Sequence, residues 1–118
     1  MKLTKAKLKQ LIKEAMTDYG NSVADKSIYR EFYSDNVDRL KMKYINNEYK
    51  SVIMYARRLE DPRLKKFPER YEKEKHYYIK SINRLEKFVM PVKDKLRKED
   101  SQLLLSIIRK AHEELKAL

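Results

Sequence analysis

Apolar residues recur at spacings of three and four along most of this chain, and no segment of useful length alternates with period two. A side chain returns to the same face of an α-helix about every 3.6 residues and to the same face of a strand every second residue. This pattern can therefore bury a continuous stripe only as helix, and the expected fold class is all-α.

The stripes divide the chain. Thr4 can cap a first helix whose Leu8, Leu11, Ile12, Ala15, Met16 and Tyr19 share one side, with Gly20 as its C-terminal cap. From about Asp25 to Leu59 there is no Gly or Pro, yet the apolar phase reverses. Ile28, Tyr29, Phe32, Tyr33, Val37, Leu40 and Tyr44 gather on one side, and Met42, Ile45, Tyr49, Val52, Ile53, Ala56 and Leu59 gather nearly opposite. A helix with a reversed face must break or be covered on both sides, and a break is expected near Ser34 to Asn36. Ser34 or Asp35 would cap the second piece, with Asp38 in its first turn.

Pro62 and Pro68 bracket a connection from Asp61 to Phe67. Pro68 with Glu69 and Glu72 suits the start of another helix, carrying Tyr71, Tyr78, Ile79, Ile82, Leu85 and Val89 and ending at Pro91. Val92 to Lys98 can form a short helix of its own. A last helix is expected to begin after Asp100 or Ser101, with Leu104, Ile107, Ile108, Ala111, Leu115 and Leu118 on one face. The whole reads as a single domain, 1–118, built as a bundle of four to five amphipathic helices, with an antiparallel helical hairpin turning at about residues 60–68.

Charged residues make up 40% of the chain, against roughly 25% in an ordinary globular protein, which raises the question of disorder. Leu, Ile, Val and Phe, at 13, 8, 5 and 3, supply enough burial to answer it. The single glycine, where average usage would give about eight, excludes the Gly-rich phosphate loops of the dinucleotide and Walker types. With no cysteine there is no disulfide scaffold, zinc ribbon or thiol chemistry. No apolar run approaches a membrane span or the core of a secretory signal, and cytoplasmic residence is expected.

Little suggests catalysis. Glu72 precedes His76 by four residues, but Lys73 and Arg109 stand where a di-iron bundle places Glu before His76 and His112. The pairs Glu113 with Glu114 and Glu99 with Asp100 are adjacent in sequence and diverge on a helix. Gly20 fits a helix-turn-helix poorly, because Lys26 falls where the second helix should pack inward. No enzyme activity, cofactor or metal site is expected.

The net charge is +11, which favours anionic partners, although Lys outnumbers Arg 20 to 9, as A/T-rich codon usage produces by itself. Arg57, Arg58, Arg63, Lys65, Lys66 and Arg70 form the densest basic region, around the proline-bracketed turn. Arg70, Lys73, Tyr77 and Arg84 continue it along the following helix, where Tyr77 could stack on a base while its neighbours hold phosphates. These residues point to a non-enzymatic protein that contacts nucleic acid, DNA or RNA, mainly through phosphates. The rival expectation is a helical protein-interaction module that docks on an acidic partner or on a second copy of itself.

Overall fold

The computed structural model describes residues 22–25 and 30–118. Three α-helices run through the described residues: α1 (Arg39–Glu60), α2 (Pro68–Val89) and α3 (Lys98–Lys116). Short 3-10 segments stand at Val23–Asp25, Leu64–Lys66 and Met90–Lys95, and there is no strand among the described residues. The chain is all-α. The expected helix from Thr4 to Gly20, and the helix-turn-helix tested at Gly20, lie outside the described residues, as do Ile28 and Tyr29. The short helix expected at Val92 to Lys98 is instead 3-10 from Met90 to Lys95, and Pro91, which has no N–H to continue the preceding ladder, ends α2 at Val89.

α1 starts where a carboxylate can serve its first N–H groups. Asp38 accepts from the backbone N–H of Leu40 (3.2 Å) and Lys41 (3.4 Å). Asp38 is thus the cap itself, and Ser34 and Asp35, expected in that role, belong to the strap before it. Met42, Ile45, Tyr49, Val52, Ile53, Ala56 and Leu59 are all buried, so one of the two opposed apolar sets became the core face of α1. The other set was divided. Phe32 and Val37 are buried from the strap, whereas Tyr33, Leu40 and Tyr44 are exposed.

The strap, 30–38, holds its place by side-chain bonds. Asn46 accepts from the Phe32 N–H (2.7 Å) and donates to the Phe32 carbonyl (3.0 Å), as a neighbouring strand would. Phe32 then meets Tyr49 edge-on with ring centroids 4.8 Å apart. Arg30 pairs with the buried Asp100 in the first turn of α3. That pairing explains a displaced boundary. Asp100 was expected to precede the last helix as a cap; it answers Arg30 from inside the helix, which begins a turn earlier at Lys98 with Ser101 N–H bonded to Arg97 O (2.9 Å).

α1 and α2 pack along their length. Tyr44 stacks on Phe88 (5.5 Å), Tyr55 meets Tyr77 (5.9 Å), and Arg58 reaches Glu74 (2.8 Å), so positions ascend along one helix as they descend along the other. The two helices are antiparallel. Asp61 makes the reversal: its N–H donates to Arg58 O (3.1 Å), its carboxylate accepts the Arg63 N–H (2.9 Å), and Pro62 fixes the residue between. α3 closes the core with Leu104, Ile107, Ile108 and Ala111. The Val23–Asp25 turn docks on both outer helices, because Arg57 Nε donates to Ala24 O (2.6 Å) and the Val23 N–H donates to Glu114 Oε2 (3.1 Å). No helix among the described residues is long and apolar enough to cross a membrane.

Candidate anion-binding surface

The α1–α2 turn folds six residues, Arg58, Asp61, Arg63, Leu64, Phe67 and Arg70, around a hollow of about 300 Å³. Helical geometry selects them. Arg58 and Asp61 are three apart and share a face, while the 3-10 turn Leu64–Lys66 carries Phe67 back beside Arg70. Phe67 is 59% exposed, an aromatic ring in water among three guanidinium groups.

Two of those guanidiniums already face carboxylates. Arg63 reaches Asp61 with Nε and Nη2 (3.2 and 2.9 Å), and these bonds hold the Asp61 carboxyl below its ordinary range. Arg58 lies 2.8 Å from the Oε1 of Glu74, a buried residue. The approach is too oblique for a hydrogen bond, so this oxygen has a counter-charge and no aligned donor. Arg58 also sits over the Tyr55 ring at 5.9 Å. Arg70, Lys65 and Lys66 take part in no ion pair among the described residues.

The sequence candidates do not all meet here. Arg57 turns away to the Ala24 carbonyl. Lys65 lines a different hollow, beside Glu60 and Glu114. Lys73 and Tyr77 lie along α2, lining a shallower hollow with Arg70 that adjoins the first. Tyr77 is 36% exposed and leans on Tyr55, so one face of its ring is already covered. Arg84 is farther down α2, where its charge acts on Glu48, a carboxyl that burial pushes up and Arg84 and Ser81 pull down.

Phe67 was missed by the sequence reading, which placed it in a loop and gave it no role. Its signal was position: an aromatic directly before Pro68 stands at the N-cap of α2, outside that helix's own apolar stripe. Asp61 and Glu74 were also missed as the groups that neutralise Arg63 and Arg58.

The arrangement offers guanidinium and ammonium donors and an accessible ring. It holds no nucleophile beside a base. His112 lies against Glu86 (3.1 Å) and His76 beside Tyr77, and no three His, Cys, Asp or Glu residues come together as metal ligands among the described residues. No protein-family model, curated protein or solved structure matches the chain.

Proposed function

We propose that the protein is a non-enzymatic, single-domain helical binding protein whose basic surface at the α1–α2 turn contacts nucleic acid, mainly through phosphates. In this reading the domain is a bundle of four to five helices, and the protein works in the cytoplasm. The observation that carries the proposal is exposed Phe67 set among Arg58, Arg63 and Arg70. Guanidiniums suit phosphate oxygens, and a ring among them gives an unpaired base a face to stack on. Single strands are favoured over duplex, because a ring at a turn can reach a splayed base but not one inside a stack.

The test is affinity for single-stranded and duplex oligonucleotides across a salt series. Log affinity should fall linearly with log salt, losing about 0.7 units of slope for each single-strand phosphate contact removed. Replacing Lys66 and Arg70 by Ser should flatten the slope, and Phe67→Ala should cost about 1–3 kcal/mol on single strands and little on duplex. Salt-insensitive or absent binding rejects the reading.

A second reading has its own observation. Tyr33, Leu40 and Tyr44 are 63%, 52% and 42% exposed at the start of α1, away from the basic turn. That apolar group suits an interaction module docking on a protein partner or on a second copy, and light scattering across a concentration series tests the latter.

A further inference from the structure

The outer seam of the α1–α2 hairpin repeats along its length what the turn does once. On α2, Arg70, Lys73, Tyr77, Arg84 and Phe88 return to one side of the helix at spacings of three, four and seven. On α1, Tyr44, Ser51, Tyr55 and Arg58 do the same. The two sides face each other, since Tyr44 stacks on Phe88, Tyr55 meets Tyr77, and Arg58 reaches Glu74. Tyr44 and Tyr55 are 11 positions apart, as are Tyr77 and Phe88, so the aromatic pairs recur after three helical turns. Phe67 stands beyond them at the turn.

Each of these three places presents a ring to water. Phe67, Tyr77 and Tyr44 are exposed, while Tyr55 and Phe88 are half-buried against the core. Tyr77 and Tyr44 are thus propped from behind, which fixes their orientation before anything binds.

Between the rings the seam is cationic. Arg70, Lys73 and Arg84 are exposed and take part in no ion pair among the described residues. Two acids of the seam are already answered: Glu74 faces Arg58, and half-buried Glu48 faces Arg84 and Ser81. Glu69 stands exposed beside Arg70 and Lys73, which outweigh it. The excess of cation selects an anionic occupant, and rings in step with the cations select one whose flat apolar faces alternate with its charges. An unpaired strand has that form, whereas a duplex keeps its bases inside the stack.

We propose that a single-stranded nucleic acid runs along this seam from Phe67 past Tyr77 to Tyr44, with bases on the three outward rings and phosphates on Arg70, Lys73 and Arg84. This rests on the nucleic-acid reading of the turn and extends it from one contact to a track. Phe67 and Phe88 are 21 positions apart, roughly 30 Å at about 1.5 Å per residue. That length holds about nine nucleotides at the stacked rise of about 3.4 Å, and fewer in a drawn-out strand. Tyr44, which a protein-docking module would also use, is the far end of the track.

The test is fluorescence anisotropy of the intact chain with labelled oligothymidylates of about 4 to about 16 nucleotides across a salt series. Affinity should climb with length up to about nine nucleotides, and the log–log salt slope should steepen by about 0.7 for each added phosphate contact. Tyr44→Leu keeps apolar bulk against Phe88 but offers no flat face, and should weaken long strands about fivefold or more while leaving the shortest unchanged. Tyr77→Leu should do so from intermediate lengths upward. Arg84→Ser should flatten the slope by about 0.7 on long strands alone. Glu69→Gln removes an opposing charge and should tighten binding, a gain that no misfolded variant gives. Salt-dependent binding that Phe67→Ala weakens, but that neither grows with length nor responds to Tyr44→Leu, Tyr77→Leu and Arg84→Ser, would overturn the track and leave the turn as the whole site. Absence of salt-dependent binding at every length would reject the nucleic-acid reading and the track together.

Discussion

The two hollows flank one turn and are built from interleaved residues, yet their charges are in opposite circumstances. Arg58, Asp61 and Arg63 go to one side, while Leu59, Glu60 and Lys65 go to the other. On the first side the charges stand largely in water, and Asp61 is partnered by Arg63. On the second, Glu114 and Tyr78 are withdrawn from water, and the Tyr78 hydroxyl is without a partner. A run of charges in sequence therefore says little about a surface. What decides is which side of the helix each residue takes and whether a counter-charge already stands there.

The end of α1, which supplies residues to both hollows, is where the comparison breaks most completely. Leu59 is 4% exposed, belongs to the core and lines the hollow beside Glu60 and Glu114. Leu59→Ala should cost about 2–5 kcal/mol in urea unfolding, since the packed helices around it collapse only partly. If the loss stays under about 1 kcal/mol, the end of α1 is not the packed element that this contrast requires.

Arg58 and Arg63 separate a cation that answers a buried carboxylate from one paired at the surface. Arg58→Ala strands the Glu74 carboxylate, whose side chain is 10% exposed, while Arg58 itself is 46% exposed and its pairing is screened accordingly. A loss of about 1–2 kcal/mol is expected. The Arg63–Asp61 pair is surface-exposed, and Arg63→Ala should leave the urea midpoint essentially unchanged while lowering anion affinity. Equal stability effects in chemical denaturation would mean that Glu74 is not held by Arg58.

How far the sequence disclosed these features follows from physics. The core face of α1, Met42 to Leu59, was legible residue by residue because period and burial coincide there. The strap was not, because its two bonds to Asn46 put a side-chain amide in place of a backbone partner, and an Asn in mid-helix reads as surface. The start of α3 misled for a related reason: Asp100 has the chemistry of a cap and is spent on Arg30, 70 positions earlier. Among the basic candidates, composition found the cations but not their neutralising carboxylates, and only folding shows that Arg57 serves Ala24. Tyr78 was assigned correctly to the apolar stripe, but nothing in a stripe says that its hydroxyl has no partner.

That orphan hydroxyl gives a smaller effect of unusual sign. Tyr78→Phe removes an oxygen that folding strips of water without compensation, while the ring stays in place. The fold should be unchanged or more stable by up to about 1 kcal/mol in urea. A loss above about 1 kcal/mol would show that the hydroxyl is bonded in solution.

The smallest effect is also the cleanest contrast, because the two hollows should respond to acid in opposite directions. On the basic side, hydrogen bonds from Arg63 hold the Asp61 carboxyl below its ordinary range. Its stabilising contribution is complete above the pKa of the unfolded chain and is lost as pH falls through the lower folded value. On the acidic side, burial first, then Glu60 and Asp25, raise the Glu114 carboxyl. The folded state then holds its proton more tightly than the unfolded chain does, so the ionised group works against folding at neutral pH and the penalty fades as pH falls through the raised value. Urea midpoints of Asp61→Asn and Glu114→Gln, each referred to the unsubstituted protein from neutral pH down into the carboxylate range, should therefore diverge. Asp61→Asn should lie below the parent at neutral pH and converge with it in acid. Glu114→Gln should lie at or above the parent at neutral pH and lose that advantage in acid. If both variants follow the same course, the carboxylates share one environment and the contrast between the two sides of the turn is wrong.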